Sequence, residues 1–198
     1  MPHAERTVLI TGANSGLGFE AAAQFAEAGY GRVILACRSE EKAETARRAL
    51  VERVGVDPFE ALAIDVADIS RTHRAADELM RRGNAIDVLL LNAGLVPGDQ
   101  PTRSVDGFEL SFAASVVGHH VLTLRLLDAG LLEGARVVLV GSEVANADMP
   151  AFLGMAPYDF ATGEPTLFGD TLSSAMRAFV HGERPEHYDG TRTYATAK

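Results

Sequence analysis

The sequence contains one cysteine, Cys37, and no tryptophan. A lone thiol excludes an internal disulfide and any multi-cysteine metal site. Cations are scarce as well: 18 Lys and Arg stand against 27 Asp and Glu, a formal charge of −9. Surplus carboxylates repel phosphate backbones and anionic lipid, so neither nucleic acid nor a membrane is expected as a partner. No uninterrupted apolar run approaches the ~20 residues of a membrane span. The opening Met1-Pro2-His3-Ala4-Glu5-Arg6 leads straight into an apolar run, and no secretory signal is read there. Repeats of solenoid length and charged tails are lacking too. What remains is ordinary for a globular chain: 198 residues, 47% hydrophobic and 23% charged, with 19 Gly against 8 Pro. These bounds predict a single cytoplasmic domain.

Short apolar runs alternate with stretches of helical period. Strands are expected at 7–10, 32–36, 59–64, 86–91 and 135–140. Between them the spacing predicts helices over 17–28, from the Ser39 cap to about 53, over 69–82 up to Gly83, and over about 107–129. The strands are apolar on both faces, which marks a parallel sheet covered by helices on each side. The fold class is therefore α/β: a doubly wound, Rossmann-like parallel sheet of about five strands. Right-handed crossovers favour the order 3-2-1-4-5.

The alternation fails after the fifth strand. Residues 143–190 are rich in Pro, Gly, Met and Phe, and only Asp170 to Val180 has helical spacing. An irregular segment of this length reads as a lid or binding loop, or as a surface cap. Its Met149, Phe152, Met155 and Phe168 suggest a bulky, apolar substrate.

Thr11-Gly12-Ala13-Asn14-Ser15-Gly16-Leu17-Gly18 lies between the first strand and the first helix. Glycines suit a tight turn where nothing stands between the backbone and a pyrophosphate, and N–H groups at a helix start face the anion. At the end of the second strand an acidic residue would hold the ribose hydroxyls of NAD, whereas an arginine suits a 2′-phosphate. The chain reads Ala36-Cys37-Arg38-Ser39, so NADP is favoured over NAD.

With these residues in place, the chain resembles the short-chain dehydrogenase/reductase family. The glycine segment is similar to that family's T-G-x-x-x-G-x-G. Asp65-Val66, after the third strand, resembles its adenine-contacting pair, and Asn92-Ala93-Gly94, after the fourth, its N-A-G. Ser142 matches the active-site serine, and Tyr194-Ala195-Thr196-Ala197-Lys198 matches Y-x-x-x-K. Ala36-Cys37-Arg38, Gly107-Phe108-Glu109-Leu110 and the long gap between Ser142 and Tyr194 resemble the retinol dehydrogenase and protochlorophyllide reductase members.

The resemblance implies hydride transfer between a nicotinamide and a carbonyl or alcohol. Tyr194 would be the acid/base, Lys198 would tune it and hold the nicotinamide ribose, and Ser142 would orient the substrate oxygen. Cofactor contacts would fall to Gly12, Asn14, Ser15, Gly16, Leu17, Gly18, Arg38, Asp65, Val66, Asn92, Ala93, Gly94, Tyr194 and Lys198. A phenol of pKa about 10 working near neutrality must drop roughly 2–3 units. A lysine ammonium ~4 Å away at an effective dielectric near 20 supplies about the energy required. The resemblance also implies a small-molecule substrate and a homo-oligomer, since members are commonly dimers or tetramers. His119 and His120 lack ligand spacing, so no metal is expected.

The chain departs from the family pattern in two places. Ser115 stands where the family has an asparagine that supports a water in its proton relay, which leaves Ser115 as the candidate for that role. The chain also stops at Lys198, where members continue. Residues 1–198 are thus expected to be one dinucleotide-binding domain with an insertion at 143–190 and the C-terminal part of the family fold missing. Val137 to Val140 would then form an uncovered apolar edge. The alternative to an enzyme is a non-catalytic NADP(H)-binding module or an inactive truncated member.

Overall fold

The computed structural model describes residues 3–98, 100–142, 158, 171–184, 186 and 188–198. The described elements are β1 (Thr7–Thr11), α1 (Gly16–Glu27), β2 (Arg32–Cys37), α2 (Glu40–Val54), β3 (Phe59–Ala63), α3 (Ile69–Arg82), β4 (Val88–Leu91), α4 (Leu110–Asp128), β5 (Arg136–Leu139), α5 (Leu172–Val180) and α6 (Gly190–Ala197). The strands pair in parallel in the order β3-β2-β1-β4-β5. That is the expected doubly wound arrangement.

The chain packs as two compact units, residues 1–93 with 119–140 and residues 94–118 with 141–198. The first unit holds the sheet. Val8, Leu9 and Ile10 are all 0% exposed. Consecutive strand residues point to opposite faces, so both faces of β1 are covered. Val8 and Ile10 share a core with Ala22, Ala23 and Ala26 of α1 and Ala43, Ala46 and Leu50 of α2. Small residues on α1 and α2 let the helices lie close to the sheet. Leu122 and Leu126, in the first unit's part of α4, are also fully buried. Each such Leu contributes roughly 1.5–3 kcal/mol.

Helix ends follow local chemistry. The Ser39 side chain accepts from the Lys42 N–H at α2, and Asp68 accepts from the Arg71 N–H at α3. Gly55 and Gly83 close these helices in the left-handed region at φ +74° and +70°.

The long helix differs from expectation at its start. It begins at Leu110 rather than near 107 because Gly107 turns at φ +83° and the Glu109 carboxylate caps the Phe112 N–H. Residues Ala113–Val117 are π-helical. Over Leu110–Asp128 the mean hydropathy reaches 1.4, which is long and apolar enough to cross a membrane by length and composition alone. Its buried Leu122 and Leu126 instead serve the sheet core. Strand β5 is exposed at all four positions, with Leu139 62% exposed, as expected of an apolar edge.

In the second unit, α5 begins at Thr171 with a capping box to Ser174. Met149, Phe152, Met155 and Phe168, read from the sequence as substrate-facing, lie outside the described residues.

Candidate functional site

In the first unit, β1 runs into the glycine loop and then α1. A Cβ on Gly18 would stand 2.5 Å from the Gly12 carbonyl oxygen and 2.6 Å from Asn92 Nδ2. No side chain fits there, so the loop and the helix start close against each other. Asn92 Nδ2 donates to the Thr11 carbonyl at 2.9 Å. The backbone N–H groups of Asn92 and Ala93 both donate to Thr11 Oγ1, at 2.9 and 3.0 Å. Thr11 is fully buried, and its Oγ1 lies 3.0 Å from His119 Nε2. With two N–H groups already accepted, the Thr11 proton is left for His119 or for the Leu90 carbonyl at 3.5 Å. Thr11 therefore ties β1 to the Asn92-Ala93 turn. The glycine motif includes Thr11 but assigns it no role. The signal was a buried hydroxyl at a strand end, which must find partners.

The mouth of α1 is open. Asn14, Ser15, Gly16 and Leu17 are exposed, and Ser15 at the N-cap makes no side-chain cap. Among the described residues no side chain caps the N–H groups of the first turn, at the positive end of the helix. Beyond β2, Arg38 is exposed. Beyond β3, Asp65 Oδ1 accepts from the Ala67 N–H at 3.1 Å, and Val66 is buried. Arg38 and Asp65 line one groove of about 620 Å³ along α3. Cys37 is buried, which pushes its thiol up to about 11 and leaves it inert at neutral pH.

In the second unit, Tyr194 and Lys198 share one face of α6 and its C-cap. Eight residues make a marginal helix unless packing holds it. Here packing does so. Asp189 Oδ1 accepts from the N–H groups of Thr191 and Arg192. The Asp189 N–H donates to Tyr158 Oη at 2.9 Å, and the Tyr158 N–H donates to Thr196 Oγ1 at 2.8 Å. The Arg192 guanidinium lies 4.3 Å from the Tyr158 ring centroid.

Lys198 Nζ lies 5.9 Å from the Tyr194 ring centroid. Partial burial pushes the Lys198 ammonium below the usual lysine range. A Cβ on Gly94 would stand 2.8 Å from Lys198 Nζ, 2.9 Å from its Cε and 3.6 Å from Ser115 Oγ. Gly94, Ser115 and Lys198 thus converge. Ser115 is 6% exposed within the π-helical turn, a local form often found at functional sites. Ser142 belongs to the same unit and is half-buried, but no hydrogen bond joins it to Tyr194 among the described residues.

This packing yields a prediction. The group facing the Gly94 Cβ position is the flexible end of a lysine, so Gly94→Ala should cost under ~1 kcal/mol of stability. It should still displace Lys198 and lower turnover roughly tenfold. Urea unfolding and steady-state kinetics on the same preparation would check the split. A fall in both by similar energies would contradict it.

The sequence motifs include Glu109 without a structural role and do not include Tyr188. Glu109 is 0% exposed and accepts from the Phe112 N–H at 2.8 Å and from Tyr188 Oη at 3.0 Å. Burial first, and the Glu109 carboxylate second, push the Tyr188 phenol well above its ordinary range. Burial likewise pushes Tyr158 up. An acid/base near neutrality needs a shift in the opposite direction, so neither of these two tyrosines suits that role. Among the described residues, no group of three His, Cys, Asp or Glu is placed to hold a metal.

The family described as short chain dehydrogenase matches residues 6–158. The chain belongs to that family. As a short-chain dehydrogenase it is 32% identical over 197 residues to protochlorophyllide reductase A, chloroplastic, of Oryza sativa subsp. japonica, covering 96% of this chain and 49% of the relative. It is 34% identical over 205 residues to the chloroplastic protochlorophyllide reductase of Chlamydomonas reinhardtii, covering 98% and 48%. The chain thus spans about half the length of the curated relatives it matches. Among solved structures, a short chain dehydrogenase of Escherichia coli CFT073 complexed with NADPH is 28% identical, with a TM-score of 0.59 over 71% of this chain and 60% of that one. Menthone neomenthol reductase from Mentha piperita shares the fold at 22% identity, with a TM-score of 0.66 over 98% of this chain and 82% of that one.

Proposed function

We propose that this chain belongs to an NADP-dependent oxidoreductase that moves a hydride between the nicotinamide and a carbonyl or alcohol. The observation that carries the reading is the half-buried Lys198 ammonium beside the Tyr194 ring, on one face of α6. The NADPH in the Escherichia coli short chain dehydrogenase supports the choice of cofactor. The glycine cradle fits such a group: no Cβ is tolerated at Gly18, and the first turn of α1 offers uncapped N–H groups to a pyrophosphate.

Gly12, Asn14, Ser15, Gly16, Leu17 and Gly18 would hold the pyrophosphate. Arg38 would hold the 2′-phosphate, and Asp65 and Val66 the adenine. Asn92, Ala93, Gly94, Tyr194 and Lys198 would hold the nicotinamide half. When bound, the dinucleotide supplies the hydride. Tyr194 Oη gives its proton to the carbonyl oxygen in reduction and takes it back in oxidation. The Lys198 cation favours the phenolate and so lowers the cost of that transfer. The Ser142 hydroxyl donates to the substrate oxygen and fixes its place, and Ser115 holds a water in the proton path.

The substrate is a small molecule, bulky and apolar, as Met149, Phe152, Met155 and Phe168 suggest. The chain is one dinucleotide-binding domain of a cytoplasmic protein that assembles with copies of itself. A carbonyl panel with NADPH, followed at the nicotinamide absorbance, tests the reading. Consumption that depends on the carbonyl is expected. Binding of NADPH with no consumption across the panel would favour the non-catalytic module.

A further inference from the structure

The groove along α3, within the first unit, is lined by five arginines: Arg38, Arg71, Arg74, Arg81 and Arg82. Glu40, Asp65 and Glu78 line it with them, and Asp68 and Glu60 pair with Arg71 and Arg82. Carboxylates thus match the arginines in number, and what differs is how firmly each arginine is paired.

The five arginines are not equally committed. Arg82 donates to Glu78, Glu60 and the Ala61 carbonyl at 3.0, 3.1 and 3.1 Å. Arg81 pairs closely with the same Glu78. Arg82 braces α3 against β3, whereas the Arg81 pair lies within α3. The other three are different. Arg38 has no salt-bridge partner among the described residues. Arg71 Nε stands 3.9 Å from Asp68 Oδ2, a loose pair, and the Arg71 side chain is 52% exposed. The Asp68 carboxylate is already occupied by the Arg71 N–H at 2.9 Å and by Ser70 Oγ at 2.7 Å. Among the described residues, Arg74 bonds only the neutral Ser70 Oγ, at 3.3 Å.

We infer that Arg71, on the first turn of α3, is a second guanidinium for the 2′-phosphate, closing on it from across the groove from Arg38, and so sets the preference for NADP over NAD. The inference rests on the NADP reading and adds to it a residue from a different element. The physics is charge matching. A phosphate monoester carries nearly two negative charges at neutral pH and presents three strong acceptor oxygens. One forked guanidinium neutralises part of that charge, and two facing forks neutralise it fully. The loose Asp68 contact lets Arg71 swing without leaving a buried carboxylate unpaired, since Asp68 keeps its N–H and hydroxyl donors.

The test uses the full chain and two small probes, adenosine 2′,5′-bisphosphate and adenosine 5′-monophosphate, titrated by calorimetry at fixed salt. The wild-type chain is expected to prefer the bisphosphate by roughly 100-fold, and Arg71→Ala to cut that preference roughly tenfold with the monophosphate unchanged. Arg71→Glu should remove the preference altogether. Both substitutions are at an exposed side chain, and far-ultraviolet circular dichroism would verify that the variants are folded. An unchanged ratio in both variants, with the wild-type preference intact, overturns the role of Arg71 and leaves the NADP reading standing. Equal weakening of both probes would mean that Arg71 meets the adenine ring and not the phosphate, which also overturns it. A wild-type chain with no preference removes the NADP reading, and this inference with it.

Discussion

Tyr194→Phe is expected to lower NADPH-dependent carbonyl reduction roughly 100- to 10,000-fold, the span usual for loss of a positioned general acid. The ring and its packing stay and one hydrogen-bonding group is lost, so the affinity for NADPH should fall by no more than about tenfold. The split matters because Tyr194 sits on a helix of eight residues that other contacts hold: Asp189 caps it, Tyr158 bonds Thr196, and Thr193 and Ala195 are buried. Losing one hydroxyl from the half-buried Tyr194 leaves those contacts intact. Single-turnover reduction together with calorimetric NADPH binding would separate chemistry from binding. Near wild-type turnover in Tyr194→Phe would remove this residue from the mechanism. Lys198 adds a pH signature. Because burial lowers its pKa, the ammonium is lost at a lower pH than an ordinary lysine, so the alkaline fall in turnover should begin below the usual lysine range.

Gly18→Ala is the second large effect. The added Cβ meets the Gly12 carbonyl oxygen at 2.5 Å and Asn92 Nδ2 at 2.6 Å. The first of these is backbone and cannot rotate away, so the start of α1 must move. We expect NADPH affinity to fall roughly 100-fold, about 2.7 kcal/mol, and stability to fall by about 1–3 kcal/mol. Gly16→Ala is the contrast. Nothing stands within 4 Å of its Cβ position, but its φ of +54° strains any other residue. It should cost about 1–2 kcal/mol of stability with a smaller loss of affinity. Calorimetry and urea unfolding on the pair would check the ranking. Equal NADPH binding by Gly18→Ala and wild type would contradict the cradle.

The sheet was legible because its signals are local and repeated. Five apolar runs alternate with capped helices, and α3 spans Ile69–Arg82 between its Asp68 cap and Gly83 as the spacing predicts. The features that escaped depend on contacts distant in sequence or on small energy differences. The expected strand 86–91 is Val88–Leu91 because Ile86 and Asp87 already bond Leu131 and Thr7. The π-helical turn at Ala113–Val117 leaves no trace in a 3.6-residue pattern. Glu109 is a buried carboxylate whose donor, Tyr188, lies far along the chain, so no local pattern announces it. The motif residues fall into two groups. The glycine loop, Arg38, Asp65 and Asn92-Ala93 belong to the first unit, while Gly94, Ser115, Ser142, Tyr194 and Lys198 belong to the second. Sequence order named both groups because each motif follows a strand or opens a helix. It gave no hint of Thr11 and His119, whose pairing joins positions more than a hundred residues apart.

The most direct measurement is calorimetric titration of the folded chain with NADPH and with NADH. Binding at one site per chain, tighter for NADPH, is the predicted result. Absence of heat with both dinucleotides would contradict the central claim that the open mouth of α1 receives a pyrophosphate.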